Sequence, residues 1–364
     1  MVGCSISHLA AAGVSGRTVQ TNKVDRRTDR VITSAIIYLT KVAQALDLEH
    51  QTGAAMNLND PIFSDETKAR AYFEALRWPN GVTCPHCGGT ERVYRLEGKS
   101  HRPGLFHCND CSGSFTVTTG GVMESSHIPL TKWALAFRLY AASKKGFSAN
   151  QLSRMLGITY KSAWFMAHRV REAMGPTPEA PLGSNGAVVE ADETELAPSK
   201  KSRPRARAKN MKFVTLIERG GRTTSKVLTG AEGPIGLQVI DTIKDEVDPK
   251  AMLHTDGARF YRNRAKDRHE AVNHNKEFVR YPADGEPVHV NTAEGYFSIF
   301  KRGLVGTYQI MSEQHLHRYL AEFDFRMNNR VALGVNDDVR TERAIKGAAG
   351  KRLRYQGTGK AQNA

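Results

Sequence analysis

Three carboxylates in the C-terminal half of the chain have the residue type and the surroundings of a metal-binding acid cluster. Asp192 and Asp256 each end an apolar, strand-like run, and Glu294 lies in an amphipathic stretch typical of a helix that begins near Thr292. Carboxylates that converge repel one another unless cations neutralise them, and hard oxygen ligands favour Mg²⁺ or Mn²⁺. If the fold brings the acids together, they predict a two-metal site for phosphoryl transfer, in which one ion activates the attacking water or 3′-hydroxyl and the other stabilises the leaving oxygen.

The helix that carries Glu294 also has a polar row along one face. Side chains three or four positions apart stack on the same side of a helix, and this spacing holds for Asn291, Glu294, Ser298 and Lys301. The opposite face is apolar enough to dock the helix on a core. A solvated salt-bridge face is the commoner meaning of a single Glu–Lys pair. The two upstream aspartates are what favour a catalytic interpretation.

The acids belong to a predicted α/β domain, residues 187–335. Early strands followed by a helix, another strand and a late helix are the order of a ribonuclease-H-like domain. In that topology Asp192 and Asp256 lie on adjacent strands, and Glu294 lies on a helix packed beside them. The predicted elements are a strand ending at Asp192, strands at 212–218 and 224–229, a helix at 235–247, a strand ending at Asp256, an irregular stretch, and the helix from Thr292.

Two Cys-x2-Cys pairs form the most specific single motif of the chain. Cys84-Pro-His-Cys87 and Cys108-Asn-Asp-Cys111 are separated by twenty residues. This is the spacing of a structural zinc ribbon, in which each turn aims two thiolates at one tetrahedral ion. Disulfides are the alternative, and a reducing cytosol disfavours them. Because sulfur fills all four positions, we expect the zinc to stabilise a small module, residues 81–125, and to take no part in the chemistry.

A predicted α-helical unit, residues 126–175, follows the ribbon. Within it, the stretch 148–171 has the spacing of a helix-turn-helix: a helix, a turn containing Gly157, and a second helix begun by Thr159 or Ser162. A helical hairpin inside a larger domain is the open alternative. The side chains predicted to meet phosphates and base edges are Lys161, His168, Arg169 and Arg171.

The charge of the chain favours a polyanionic partner. Lys and Arg number 52 against 37 Asp and Glu in 364 residues, which gives a formal charge of +15 and favours nucleic acid over a neutral small molecule. A cationic loop after the first strand of the α/β domain is a predicted contact with the DNA backbone, with a solvated surface loop as the alternative. The predicted DNA-binding residues there are Lys200, Lys201, Arg203, Arg205 and Arg207, joined by Lys301 and Arg302 on the late helix.

The remaining segments complete the domain organisation. Residues 1–55 are an N-terminal extension of uncertain structure, and residues 56–80 contain a helix leading into the ribbon. The Pro- and Gly-rich residues 176–186 read as a linker, and residues 336–364 as a basic, flexible tail. The longest apolar run is too short to span a bilayer, and the N-terminus has no recognisable secretory signal. We therefore expect a cytoplasmic protein.

Taken together, the motifs resemble transposases of the IS1595 type, which combine an N-terminal zinc ribbon with an ISXO2-like transposase domain. The resemblance spans about residues 56–330. It implies a DDE-type recombinase that binds terminal inverted repeats, cuts the ends of an insertion sequence and joins their 3′-hydroxyls to target DNA, acting as a homodimer or larger assembly. Apart from the cysteine pairs, the matching stretches are Val189-Glu-Ala-Asp192-Glu193-Thr, His254-Thr-Asp256-Gly, residues 289–303 and residues 318–328.

The resemblance implies Asp192 and Asp256 as the first two acids but leaves the third open, because members of the family have either Asn or Glu there. Asn291 and Glu294 are both present. We favour Glu294, since a carboxylate brings negative charge to the metals and Lys301 then lies seven residues further on. Asn291 would ligate weakly or position a phosphate.

Two further acids of the first strand are weaker candidates. Glu193 is a second-choice ligand because it points to the opposite face of the sheet if the strand continues. Glu190 shares the face of Asp192, yet no pattern of the family supports it. Relatives tend to have a Gly pair shortly after the first acid, where this chain has Glu195-Leu-Ala-Pro198, so the local turn is less certain than the chemistry.

Three functions stay open from the sequence. The first is a DNA transposase, and the joint presence of Asp192, Asp256, Glu294 and Lys301 favours it. The second is a non-enzymatic DNA-binding regulator derived from a transposase, in which the ribbon and the helix-turn-helix bind DNA and the α/β domain is only a scaffold. The third is an RNA-processing nuclease, because ribonuclease-H-like sites also cut RNA.

Overall fold

The computed structural model of the chain describes residues 56–177, 179–197, 210–263, 268–273, 277–283 and 286–353. The predicted extension, residues 1–55, lies outside the described residues. So does the cationic loop, with the predicted DNA contacts Lys200, Lys201, Arg203, Arg205 and Arg207. Within the described ranges, every helix is too short or too polar to cross a membrane.

A helix packs against a small three-stranded ribbon. Helix α1 (Glu66–Arg77) begins at Asp65, whose carboxylate accepts hydrogen bonds from the backbone N–H groups of Thr67 and Lys68. Trp78, which follows α1, packs edge-on against the rings of Phe106 and Phe115 and so joins the helix to the ribbon. The antiparallel strands, in spatial order, are β1 (Val93–Arg95), β2 (Phe106–Cys108) and β3 (Gly113–Phe115).

Three helices form the next unit, and local capping explains where the last two begin and end. The Ser148 side chain accepts a hydrogen bond at the start of the second helix, and the Thr159 side chain does the same at the start of the third. Gly157 ends the second helix in the left-handed conformation at φ 58°, which glycine adopts at low cost. The helices are α2 (Leu130–Ala142), α3 (Ala149–Leu156) and α4 (Tyr160–Ala173).

The C-terminal half of the chain contains a five-stranded mixed sheet. The first three strands run antiparallel to their neighbours, whereas the fourth pairs parallel with the first and the fifth pairs parallel with the fourth. The spatial order is β6-β5-β4-β7-β8. The strands are β4 (Val188–Leu196), β5 (Met211–Glu218), β6 (Thr223–Leu228), β7 (Met252–Asp256) and β8 (His269–Val272). The sequence therefore predicted the mixed α/β domain, although β8 falls in the stretch expected to be irregular.

Helices cover both faces of this sheet. Helix α5 (Ile235–Glu246) packs on the face where Val189, Ala191, Val214 and Leu216 are buried. Helices α6 (Asn291–Gly303) and α7 (Glu313–Asn328) pack on the other face through an aromatic cluster that contains Phe213, Phe297, Phe300 and Phe323. The side chains of β4 alternate between these two layers, as the pleat of a strand requires.

The expected linker and tail are more structured than predicted. Leu182 is buried, and its backbone exchanges hydrogen bonds with Glu246 and Asp248 at the end of α5, so the second half of the linker is docked. Residues 337–346 form helix α8 (Asp337–Lys346), and Ala344 and Ile345 are buried in the core of the helical unit. The flexible-tail prediction is wrong for this segment, because an apolar face lies between its basic residues.

A buried ion pair joins the helical unit to α7. The guanidinium of Arg171 on α4 donates a hydrogen bond of 2.7 Å to Glu322 on α7, and the two side chains are 3% and 0% exposed. Arg326 contacts the same carboxylate, and the Tyr308 hydroxyl donates to it at 2.5 Å. A buried pair of this kind is strongly destabilising to break from one side. It fixes α4 relative to the α/β layer.

Candidate functional site

The register of β4 and β7 brings the two predicted aspartates side by side. These strands are parallel, with Glu190 opposite His254 and Ala191 opposite Thr255, so the next position pairs Asp192 with Asp256. Neighbouring strands lie about 4.8 Å apart and residues in register point to the same face. Both aspartates are half-buried. The third acid, Glu294, comes from α6, which packs on this same face, and its side chain is exposed.

The other acids lie near enough for their charges to act on Asp192. Burial raises the pKa of Asp192 to about 8, and the charges of Glu193, Asp256 and Glu294 raise it further against a lowering hydrogen bond from the Glu193 amide. A carboxyl group with that pKa is held in a field of other acids that disfavours its ionised form. The donor set, three carboxylates with mutual repulsion, is the kind that hard divalent cations bind.

The acids are nevertheless less tightly grouped than the cysteines. Across the described ranges, the one set of three or more His, Cys, Asp or Glu side chains whose ligand atoms all lie within 4.8 Å of one another is the ribbon cluster. A two-ion site spreads its ligands over two centres about 3.5–4 Å apart. The three acids therefore do not form a single compact ligand set in the described ranges, and their binding of divalent ions stays a prediction.

Glu193 lies on the opposite face of β4, because the strand continues to Leu196. Its carboxylate accepts a hydrogen bond of 2.7 Å from the Tyr261 hydroxyl. Burial raises the pKa of Glu193, and the charge of Asp256 raises it as well. Glu193 therefore adds to the field around the aspartates from the far side of the sheet, and its role as a second-choice ligand stays a prediction.

The remaining predicted residues of α6 lie on its exposed side. Asn291 is the first residue of the helix, and Lys301 and Arg302 are in its last turn; all three are exposed. The guanidinium of Arg302 donates a hydrogen bond to the backbone carbonyl of Ser298. The side chain of Lys301 lies two helical turns beyond Glu294, which keeps it on the Glu294 side of the helix.

The residue that sequence reasoning set aside is Glu190, two positions before Asp192 on the same strand face, and the structure gives it a role that the sequence did not predict. Its carboxylate is fully buried and accepts hydrogen bonds from Arg219 on the loop after β5 and from the first turn of α6. A charged side chain inside an apolar strand was the available signal. Without the fold, nothing in the sequence shows that the start of α6 lies opposite it.

The four cysteines of the ribbon have the geometry of a tetrahedral zinc centre. The Sγ atoms of Cys84 and Cys111 are 3.7 Å apart, those of Cys87 and Cys108 are 3.6 Å apart, and none of the four forms a disulfide. Four sulfurs about 2.3 Å from one zinc ion would be separated by about 3.8 Å. The sulfur positions therefore fit the predicted structural zinc.

The helical unit corrects two of the predicted DNA contacts. Arg171 points into the protein and pairs with Glu322. His168 is 1% exposed, and burial lowers its pKa to about 2, so it is a neutral core residue. Both side chains lie on the face of α4 that packs against α7. They therefore do not meet phosphates.

The other two predicted contacts of α4 differ in their surroundings. Lys161 is exposed in the first turn of the helix. Arg169 is half-buried, with its guanidinium donating to the backbone carbonyl of Glu124 and stacked on the ring of Phe165 at 4.5 Å. The first turn of α4 is thus exposed, and DNA binding by Lys161 and Arg169 stays a prediction.

Comparison with known proteins agrees with the cysteine cluster and the acid-bearing sheet. Residues 64–114 match the family model of a transposase zinc-ribbon domain, and residues 184–328 match the model of an ISXO2-like transposase domain. Both models describe IS1595 transposases. The chain belongs to this family. The sequence-based resemblance is therefore confirmed, and the IS1595 protein carries a transposase domain.

Among the relatives, the IS1595 protein is 28% identical over 282 residues to an uncharacterized protein in the transposable element ISH50 of Halobacterium salinarum, covering 72% of this chain and 91% of the relative. Among solved structures, it is matched with the crystal structure of the Mos1 strand transfer complex, at 13% identity over 55% of this chain and 77% of the other. The TM-score of that match is 0.21, which is too low to indicate a shared fold.

Proposed function

We propose that this IS1595 protein is an active DNA transposase that binds the ends of an insertion sequence and catalyses DNA cleavage and strand transfer at the site formed by Asp192, Asp256 and Glu294. The observation that carries the proposal is the parallel register of β4 and β7, which sets Asp192 beside Asp256 on the face covered by α6. The strand order of the sheet also supports a ribonuclease-H-like domain.

The three acids would hold two Mg²⁺ or Mn²⁺ ions. When bound, such ions polarise the phosphodiester and the attacking and leaving oxygens of an in-line displacement. The side chains of the chain orient this arrangement, with the aspartates fixed on adjacent strands and Glu294 on a packed helix. Asn291, at the exposed start of α6, is placed to contact a phosphate, and Lys301 supplies a positive charge on the Glu294 side of the same helix.

DNA binding is assigned to the first turn of α4 and to the last turn of α6. Tyr160 and the segment Gly306–Ile310, which follows α6, line a common cavity of about 320 Å³. DNA that reaches Lys161 therefore lies near the helix that carries Lys301 and Arg302. The ribbon zinc stabilises its module, and assembly of at least a dimer is expected because two ends must be held together.

The test is incubation of the purified protein with a duplex carrying the repeats that flank its gene, in the presence of Mg²⁺. We expect nicking and strand transfer by the wild type and about a 10³-fold loss in Asp256→Ala. Lys161→Ala should weaken binding to all DNA sequences by a similar factor. It should also reduce the slope of log affinity against log salt concentration by about one, the value for one lost phosphate contact. If the wild type binds the repeats specifically but does not nick them, the protein is a DNA-binding regulator and not a transposase. Cleavage of RNA alone would indicate an RNA-processing nuclease.

A further inference from the structure

Helix α6 lacks a hydrogen bond to the side chain of its N-cap residue, although the backbone N–H of Asn291 donates at 3.4 Å to His289 Nδ1. Val290 precedes the helix and offers no side-chain acceptor to its free backbone N–H groups. The missing acceptor comes from β4 instead. One oxygen of Glu190, Oε2, accepts hydrogen bonds from the N–H of Thr292 at 2.8 Å and of Ala293 at 3.2 Å. These are the second and third residues of the helix, the positions that an N-cap side chain normally serves.

The second oxygen of Glu190 is used as well. Its Oε1 accepts hydrogen bonds from the Thr292 hydroxyl at 2.9 Å and from Arg219 Nε at 3.0 Å, and His289 Nδ1 lies 3.2 Å away. A carboxylate at a helix N-terminus is stabilised by the positive end of the helix dipole. Because Glu190 is 0% exposed, the charge of Arg219 and these donors replace the water it has lost.

Arg219 also holds the segment that leads into α6. Its guanidinium donates to the backbone carbonyls of Pro287 and His289 and contacts His254 Nδ1 at 3.1 Å. His254 is opposite Glu190 on β7. One buried network therefore links β4, β7 and the start of α6 immediately beside the three acids.

We propose that Glu190 is a positioning residue that locks the N-terminus of α6 onto β4 and so sets Glu294 against Asp192 and Asp256 for metal binding. The inference rests on the proposed function. Glu190 is two residues from Asp192 on the same face, and Glu294 directly follows the two amides that Glu190 holds. The protein's own donors occupy all acceptor positions of the Glu190 carboxylate. Glu190 therefore has no oxygen lone pair left for a metal ion, and its role is to orient the metal ligand Glu294.

The first experiment compares Mn²⁺ binding by wild type, Glu190→Gln, Glu286→Gln and Asp192→Asn, with the zinc site loaded and free Mn²⁺ read by electron paramagnetic resonance. In Glu190→Gln an amide N–H₂ replaces one acceptor oxygen, so either Arg219 or α6 loses its partner. We expect Mn²⁺ affinity to fall about 10-fold or more, the usual effect of removing a group that orients a metal ligand. Glu286→Gln is the matched control, because Glu286 also pairs with Arg219 but is 66% exposed and precedes the first residue of α6 by five positions.

The same variants are then assayed for Mn²⁺-dependent cleavage of the repeat duplex. Excess Mn²⁺ should restore most of the cleavage rate of Glu190→Gln, because its ligands are intact but misplaced, whereas Asp192→Asn should stay inactive. A purely structural role would lower the melting temperature and leave the Mn²⁺ dependence of the folded protein unchanged. That result would overturn the inference.

A second variant tests the proposal if Glu190→Gln folds poorly. Thr292→Val removes the hydroxyl that donates to Glu190 and keeps the backbone contacts, and we expect about a twofold to fivefold loss of Mn²⁺ affinity, smaller than for Glu190→Gln because the backbone N–H groups and Arg219 still hold the carboxylate. If Glu190→Gln and Thr292→Val, or whichever of the two folds, bind Mn²⁺ with wild-type affinity, the positioning role is contradicted. If wild type and Asp192→Asn bind Mn²⁺ equally, the proposed function itself fails, which is a different outcome from equal binding by wild type and Glu190→Gln.

Discussion

The four cysteines of the ribbon and the three acids of the α/β domain are held together by different means. The cysteines come from two short turns, and paired sulfurs lie 3.6 and 3.7 Å apart. The acids come from two strands and a helix, and they meet through the register of β4 and β7 and the docking of α6. The ribbon is small and folds around its metal, whereas the acids sit on a scaffold with its own core. Loss of a ligand should therefore have opposite consequences at the two sites.

The largest effect is expected for Cys108→Ser. Cys108 is fully buried in the ribbon, and structural zinc supplies much of the folding energy of a module of this size. We expect loss of bound zinc and a decrease in the free energy of unfolding of about 4–5 kcal/mol, measured by atomic absorption and thermal unfolding. Cys4→Ser is the control, since Cys4 lies outside the two Cys-x2-Cys pairs of the sequence. Full zinc content and an unchanged melting temperature in Cys108→Ser would contradict a structural zinc site in the ribbon.

Asp192→Asn should do the reverse. We expect cleavage to fall about 10³-fold or more while the free energy of unfolding, measured without Mg²⁺ or Mn²⁺, stays equal or rises. The substitution removes a buried acid that Glu193 and Asp256 repel, and the Asn oxygen can still accept the 2.8 Å hydrogen bond from the Glu193 amide. A loss of stability as large as that of Cys108→Ser would show that Asp192 stabilises the fold and that the loss of cleavage follows from unfolding.

The same difference explains what the sequence could predict. Because the cysteine spacing is a local pattern, it predicted the ribbon and its zinc ligands. The apolar runs predicted most strands of the sheet. Strand β8 has only four residues and no distinctive pattern. The orientation of Arg171 was misread because its partner Glu322 lies far along the chain. Glu190 was set aside for the same reason, since its partners on α6 are brought to it only by the topology.

A buried acid on α7, which contacts α6, provides the test with the smallest expected effect. Asp324 on α7 accepts hydrogen bonds from the Tyr296 hydroxyl at 2.6 Å and the Ser225 hydroxyl at 2.8 Å, and burial raises its pKa from 3.8 to about 7. Because the folded protein holds this proton more tightly than the unfolded chain, the stabilisation is complete below about pH 4 and is lost as pH rises through about 7.

Asp324→Asn should remove this pH dependence. An Asn oxygen still accepts from Tyr296 and Ser225, so the stability of the variant relative to wild type should rise by about 3 kcal/mol between pH 4.5 and 7.5. Urea unfolding at several pH values measures the difference, and the exposed Asp241→Asn should give a curve parallel to wild type. Parallel curves for Asp324→Asn too would mean that Asp324 is ionised throughout. The support of α6 would then depend on a buried charge, as its N-terminus does at Glu190.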